Sequence, residues 1–405
     1  MAHEKIVRCD RDGINYCASL LRDNKLVAFP TETVYGLGAN AFNEAAVLAI
    51  FEAKGRPLTD PLIVHVDAYS KALQLLELGN TENENSEEYI IFHELATTYW
   101  PGPLTIISKA NNSIPLAVTA GTGFVGVRIP DHPIALALLK ATDLPIAAPS
   151  ANRFGHVSPT RAVHVIDDLG DKSIHVLDSN FDGNSTNNTA CKHGIESTVI
   201  KINKELKQIN IFRQGAITQY SLENILMSMK SKLANNWIVN VVSRTVAMHS
   251  LSEETKIIST VGQEAPGQAI THYSPDIACV IVSSVSFSDA VDGSSSHPNI
   301  VVVDENELKN MVVIDYGNNL EMLSNFVSSY KNLSRDFDPS EGARNLFDTL
   351  RWSEAVVGAT TVMLPQINAG NDGNEKDSIV LGLIDRVYRA ASGKVVELIV
   401  KRCKY

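Results

Sequence analysis

Val27-Ala28-Phe29-Pro30-Thr31-Glu32-Thr33-Val34-Tyr35-Gly36-Leu37-Gly38, then Glu52-Ala53-Lys54-Gly55-Arg56-Pro57 and Asp60-Pro61-Leu62-Ile63-Val64-His65-Val66, is the stretch from which the rest of the chain is read. An apolar strand (Leu26–Phe29) runs into a turn. A helix rich in Ala, Leu and Ile (Glu44–Lys54) ends on two cations one residue apart. A second strand (Leu62–Val66) follows, apolar enough to be buried on both faces. Strand, helix and strand in this order announce an α/β domain. The cations beside a Pro-terminated loop suit an anionic ligand such as a nucleotide phosphate. Taken alone, they read equally well as a cationic helix end, with Gly55 freeing the backbone, worth roughly a few tenths of a kcal/mol.

Working outward, Asp12–Asn24 has the apolar spacing of an amphipathic helix. Strands are expected at Leu104–Ser108, Gly126–Ile129, Ile146–Ala148, Ser197–Ile202 and Ile209–Arg213, with helices at His132–Ala141 and Ala162–Leu169. Thr81–Glu88 reads as a polar surface insertion and Asp178–Thr189 as a loop. From about Lys232 to Ser274 the periodicity weakens, as in a linker. A second alternating block follows. Its strands are Ala278–Val282, Asn299–Val303, Val312–Ile314, Thr360–Leu364 and Val395–Val400, and its helices Leu320–Asn332, Ala343–Val356 and Ser378–Ala391. This pattern predicts a smaller, largely parallel, doubly wound domain. The expected division is 1–231 for a first domain, 232–276 for a linker or lid, and 277–405 for the second domain.

The chain has 405 residues, 44% hydrophobic and 20% charged, enough for two domains with cores of their own. No apolar run approaches the roughly 20 residues of a membrane span, so no membrane role is expected. The amino terminus lacks an apolar signal core, and the five cysteines are dispersed without a C-x-x-C, as reduced thiols are. The expected compartment is the cytoplasm, with a mitochondrial pool only if an upstream start adds a targeting peptide. A formal net charge of −11, spread over both halves, argues against wholesale binding of nucleic-acid backbone.

Gly121-Thr122-Gly123-Phe124-Val125-Gly126 matches G-x-G-x-x-G, but a dinucleotide site needs a helix to open at the third glycine. Val127-Arg128-Ile129-Pro130 is instead a strand stopped by proline, so the dinucleotide reading is rejected. There is no P-loop, no G-x-S-x-G, and no cysteine in an activating setting. Ser150-Ala151-Asn152 and Glu196-Ser197-Thr198 each read, alone, as ordinary turn or strand hydroxyls. His65 reads as a core histidine. Arg128, inside an apolar strand, needs an anionic partner, either an internal carboxylate or a bound one.

In order and wording together, these segments are far more specific. Phe29-Pro-Thr-Glu-Thr-Val-Tyr-Gly-Leu-Gly38, Lys54-x-Arg56-Pro57, Pro61-Leu62-x-x-His65 and Trp100-Pro-Gly-Pro-Leu-Thr105 come first. Val127-Arg128-x-Pro130-x-His132-Pro133, Ser150-Ala-Asn152 and Gly194-x-Glu196-Ser-Thr198 follow. The series closely resembles the YrdC-like threonylcarbamoyl-adenylate synthase family. Leu346–Arg351 and Leu383–Ala391 look like helices of the extra domain in its long members. The resemblance implies a YrdC-like mixed twisted sheet with a concave basic groove, plus a smaller Rossmann-like carboxy-terminal domain. It implies a nucleotidyltransferase that joins L-threonine, bicarbonate or CO2, and ATP into threonylcarbamoyl-AMP, releasing pyrophosphate. A separate transferase complex would then modify the adenosine beside the anticodon of ANN-reading tRNAs, with at most weak tRNA contact by this chain.

On that resemblance Thr33, His65, Arg128, Ala148 and Ser197 would hold threonine. Lys54, Arg56, Asp60, Phe124, Ser150, Ser158, Arg213 and Tyr273 would line the ATP site, Phe124 through its backbone only. Lys54, Arg56, Ser150 and Asn152 would carry the catalysis, with Mg2+ on the triphosphate. Two departures stand out: Phe154 where relatives carry a second Ser, and Pro266-Gly-Gln-Ala-Ile-Thr-His272-Tyr273, which lacks two cations common there. The reaction needs positioning and charge neutralisation more than a protein nucleophile. The competing reading is an RNA-binding or ribosome-associated module using the same groove.

Overall fold

A computed structural model describes residues 5–79, 85–178, 191–233, 236–242, 263–266, 273–288, 299–368 and 375–402. The chain divides into two compact units, Met1–Phe154 with Pro159–Gln268, and Gly155–Ser158 with Ala269–Tyr405.

The first unit opens with β1 (Ile6–Arg8), α1 (Arg11–Arg22), β2 (Leu26–Phe29), β3 (Gly36–Asn40), α2 (Glu44–Lys54) and β4 (Ile63–His65). It continues with α3 (Tyr69–Leu73), α4 (Glu87–Tyr99), β5 (Leu104–Lys109), α5 (Leu116–Thr119), β6 (Phe124–Arg128), α6 (Pro133–Thr142) and β7 (Ile146–Ala147). It closes with α7 (Ala162–Leu169), β8 (Ile174–Asp178), β9 (Thr198–Asn203), β10 (Gln208–Arg213), α8 (Gln219–Ser228) and β11 (Ile238–Val241). The eleven strands form one mixed sheet in the order β1-β8-β2-β3-β7-β4-β6-β5-β9-β10-β11. A large core that includes Tyr35, Ile50, Phe92, Leu104 and Ile200 packs helices on it, and a smaller one joins α1 and α6 to Val27 and Phe29.

Local chemistry sets the elements that matter for the site. In α2, the Asn43 side chain caps the first turn by accepting from Ala46 N at 2.9 Å, and Gly55, at φ +63°, ends the helix in the left-handed region. That ending leaves Lys54 in the last turn and throws Arg56 into the following loop. The strand after Gly123 is β6, so the rejection of a dinucleotide fingerprint stands.

The second unit contains β12 (Ala278–Ser288), β13 (Ile300–Asp304), α9 (Glu305–Leu308), β14 (Met311–Asp315), β15 (Ser329–Asn332) and α10 (Pro339–Glu354). After these come β16 (Thr361–Pro365), α11 (Glu375–Ala390) and β17 (Val395–Lys401). Its six strands are all parallel, in the order β13-β17-β12-β16-β14-β15. That is the doubly wound pattern expected.

Three expectations are corrected. Leu320–Asn332 is not a helix: a short 3-10 turn, Glu321–Leu323, precedes the edge strand β15, which pairs Val312 with Ser329 and Asp315 with Asn332. Leu320, Leu323, Phe326 and Val327 mimic a helical stripe, but Asp315 takes hydrogen bonds from Leu320 N and Tyr330 Oη and so fixes the segment beside β14. The stretch expected to be linker contains β11, which extends the first sheet in parallel with β10. The tail of the polar run is structural too, since Ser86 caps α4 by accepting from Tyr89 N and Glu87 and Glu88 fill its first turn. Residues 81–84 of that run, and 179–189 of the Asn-rich loop, lie outside the described residues.

Candidate active site

The middle of the first sheet sets the site out by register. His65 on β4 lies opposite Arg128 on β6, and Ile63 opposite Gly126. On the other side of β6, Gly126 faces Ile107 of β5, while Thr105 and Ile107 face Val199 and Lys201 of β9. Residues in register share a face, so one sheet face carries His65, Arg128, Thr105, Ile107, Val199, Lys201 and Phe124. Gly126 keeps its centre flat: a Cβ there would stand 2.9 Å from Thr105 Cγ2.

At one end of this floor lies Arg128, buried. Its Nε donates to Gly102 O at 3.2 Å and its Nη2 to Thr33 Oγ1 at 3.1 Å. Its anionic partner is Glu32, whose Oε1 is 2.6 Å from Nη2 with both side chains buried. The approach makes an ion pair by distance without a well-directed hydrogen bond, and neither Glu32 oxygen finds a hydrogen-bond donor among the described residues. Thr31 orders the turn, its hydroxyl 2.8 Å from Thr33 Oγ1 and donating to Val34 O at 2.6 Å. Burial first, and the Arg128 charge second, push the His65 imidazole down to about 3, so it is neutral. Its Nδ1 is buried without a hydrogen-bond partner among the described residues. Ala148 follows β7, its N–H donating to Ile63 O at 2.9 Å, and is buried.

Next to this end sits a hydroxyl pair, Thr105 Oγ1 and Ser197 Oγ at 2.8 Å. Arg213 fastens it, donating from Nε to Ser197 O at 2.9 Å and from Nη2 to Ser197 Oγ at 3.0 Å. At the far end Lys201 Nζ lies 3.7 Å from the Phe124 ring centre and 3.3 Å from Glu264. Ala265 is buried there against Ile63, Ile107 and Val199.

The two cations at the end of α2 and just past it go separate ways. Lys54 Nζ is buried and donates to Ser150 O at 2.7 Å and to Asn152 O. Burial, then the Arg56 charge, hold its pKa well below the ordinary lysine value, against the raising effects of Asp168 and Asp60. Ser150 Oγ donates to Asn152 Oδ1 at 2.5 Å, and the loop is pinned to the sheet through Ala151 N to Tyr35 O at 2.8 Å. Arg56 is wrapped by its own loop: Nε donates to Asp60 O at 3.1 Å, Nη2 to Pro61 O at 2.8 Å, and Nη2 pairs with Asp60 Oδ1 at 3.0 Å, both buried.

Two other candidates belong to the second unit. Ser158 is buried there. Tyr273, buried at φ +66°, packs its ring 5.2 Å from that of Phe347, with the Arg386 guanidinium 5.7 Å away. His272 lies outside the described residues. Within the same unit His156, Asp276 and Glu354 bring ligand atoms within 4.8 Å of one another. They close on themselves by hydrogen bonds, with Glu354 Oε1 2.9 Å from His156 Nε2 and 2.7 Å from Asp276 N.

Glu32, Thr105, Lys201 and Asp168 escaped the sequence reading. Only Glu32 carried a signal, in the demand of Arg128 for an anion.

Both parts of the chain resemble known proteins. Residues 19–215 match the Sua5_yciO_yrdC family model, described as "Telomere recombination", and residues 217–392 match "Threonylcarbamoyl-AMP synthase, C-terminal domain". A threonylcarbamoyl-AMP synthase of Pyrococcus abyssi is 37% identical over 68% of this chain and 69% of its own length. One of Schizosaccharomyces pombe is 33% identical over 94% of this chain and 89% of its own. A crystal structure of P. abyssi Sua5 complexed with L-threonine superposes with a TM-score of 0.69 at 28% identity, covering 97% of this chain and 98% of that one. The four described cysteines Cys9, Cys17, Cys191 and Cys279 are free thiols, and no described helix is long and apolar enough to cross a membrane. With both of its parts matched in order, the chain belongs to the threonylcarbamoyl-AMP synthase family.

Proposed function

We propose that the protein condenses L-threonine, bicarbonate or CO2, and ATP to threonylcarbamoyl-AMP and pyrophosphate. The observation that carries this reading is Lys54, an ammonium buried against two carbonyls of the Ser150–Asn152 loop. Two of its three N–H donors are spent on those carbonyls, and the third serves a phosphate oxygen. In a water-poor site such a fixed cation acts strongly on charge that develops at phosphorus. Arg56 supplies the second cation, and Asp60 acts by holding it. Ser150 and Asn152 shape the loop, and the resemblance adds Phe124 and Arg213 to the nucleotide contacts.

Threonine takes the other end. Its carboxylate meets the guanidinium N–H groups of Arg128 that Gly102, Thr33 and Glu32 leave over. The neutral His65 offers its unpartnered Nδ1 to the threonine hydroxyl, with Thr33, Ala148 and Ser197 closing the contacts. Once the amine has taken up CO2 as a carbamate, a carbamate oxygen attacks the α-phosphorus and pyrophosphate leaves. No step needs a protein nucleophile, which agrees with thiols that burial pushes up to about 12 at Cys17, Cys191 and Cys279.

Mg2+ would reach the site on the triphosphate. Asp60 and Glu32 each face an arginine, so the phosphate oxygens and water, not a carboxylate cage, would coordinate it. We place the protein in the cytoplasm, handing its product to a threonylcarbamoyl transferase complex with at most weak tRNA contact. Residues 1–231, extended by β11, act as the catalytic domain and 277–405 as the accessory domain. Mass spectrometry after incubation with ATP, L-threonine and bicarbonate should find threonylcarbamoyl-AMP only when threonine is present. Tight retention of tRNA with no nucleotide product would sink the reading in favour of an RNA-binding module.

A further inference from the structure

Lys54 and the Ser150–Asn152 loop are stitched together from several sides, and one of the stitches has no role in the scheme above. Phe154 N donates to Lys54 O at 2.9 Å, while Lys54 Nζ holds the carbonyls of Ser150 and Asn152. Between these contacts, Arg153 N donates to Asp168 Oδ2 at 3.2 Å. The Asp168 side chain is 2% exposed, and its Oδ1 lies 3.8 Å from Arg153 Nε, whose half-exposed side chain lends little to the pair. Asp168 and Lys54 line one cavity of about 350 Å³, together with Gly55, Arg153 and Phe154.

Helix α7 does not account for this acid. Asp167 and Asp168 stand in its last turn, where a negative charge opposes the helix dipole. A carboxylate nearly removed from water also carries a desolvation cost that its partners must repay. Its position instead serves the loop and the cation across the cavity.

We propose that Asp168 is a positioning residue for the reaction proposed above: it anchors the Ser150–Asn152 loop through Arg153 N and sets its carboxylate on the cavity it shares with Lys54, so that the Lys54 side chain is aimed at the nucleotide. The electrostatics run the same way. Asp168 is the largest of the influences that raise the Lys54 pKa against burial and Arg56, ahead of Asp60. Glu52, Asp171, Lys172 and Arg153 are the other charged groups on the shared cavity.

Lys54 works as a cation, so removing Asp168 lets it lose its proton at lower pH. The near-isosteric Asp168→Asn should move the alkaline limb of kcat/KM down by about one pH unit. Asp168→Ala, which also frees Arg153 N, should lower kcat on the order of 10-fold or more at neutral pH. Asp168→Glu should restore the limb. An Asp168→Asn enzyme with a lowered melting midpoint and an unmoved limb would overturn the proposal, leaving Asp168 a purely structural acid. The titration of Lys54 Nζ, followed by NMR of 15N-lysine-labelled full-length protein, needs no turnover. A downward shift in Asp168→Asn supports the inference even if wild type makes no threonylcarbamoyl-AMP, and an unshifted titration overturns it even if wild type does.

Discussion

Two buried carboxylates, one in each unit, show how differently the two sheets treat charge. Asp315, at the end of β14, accepts from Tyr316 N at 2.7 Å, Leu320 N at 3.0 Å and Tyr330 Oη at 2.6 Å. The same sharing of Asp315, after burial, raises the Tyr330 hydroxyl well above its ordinary value. Glu32, equally buried, has no well-directed donor among the described residues and pairs with Arg128. The cations follow suit: Arg389 and Arg386 of α11 both turn to Asp385, at 2.9 and 3.4 Å, whereas Lys54 is held by carbonyls. Polar groups that a fold needs are satisfied by the fold. Those left with spare donors and acceptors, gathered on one sheet face, point to a ligand.

The largest effect that sharpens this contrast is on turnover. Lys54→Met should lower kcat by about 10²- to 10³-fold, as losing one preorganised charge-stabilising donor does. Steady-state pyrophosphate release checks it, with circular dichroism confirming an intact fold. Arg56→Ala should do the same damage and more, because it breaks a buried ion pair with Asp60 at about 3–5 kcal/mol. Denaturant midpoints separate the two variants, and an Arg56→Ala protein as stable as wild type would break the account of that loop.

Next comes stability without catalysis. Asp315→Ala orphans two backbone N–H groups and a tyrosine hydroxyl, and should cost about 3 kcal/mol or more while leaving kcat/KM per folded molecule unchanged. A kinetic loss in that variant would blur the distinction between the units.

The smallest effect is a pH slope. His65 falls from 6.5 to about 3 and His193 to about 4, both through burial first. The unfolded chain therefore binds more protons between about 6.5 and 3, and stability should decline as pH falls through that window. Urea midpoints at pH 7 and pH 5 measure it, and His65→Gln should flatten the slope.

Much of this was legible in the residues. Helix α2 ends where Gly55 allows it, and the strand after Gly123 follows from Val125, Val127 and Pro130, so both were readable from local chemistry. What escaped was decided at long range. Glu32 and Arg128 are far apart in sequence, and only the pairing of β4 with β6 and the turn after β2 bring them together. Asp168 carries no signal of its own in the sequence; its place is decided where α7 lays it against Arg153 N. Residues 320–332 carried a helical stripe, but hydrogen bonds to Asp315 drew them to a sheet edge. Ile238–Val241 was too short to show its period, and became a strand because β10 offered a free edge.

The claim at the centre is that Arg128 on the sheet face and Lys54 at the end of α2 read two different ligands, and crossed calorimetric titrations test it most directly. L-threonine and ATP are each titrated into Lys54→Met and into the paired change Arg128→Gln with Glu32→Gln, which orphans no buried charge. The account predicts that the paired variant loses threonine while keeping ATP within about threefold, and that Lys54→Met does the reverse. Equal weakening of both ligands in either variant, or of neither, would contradict it.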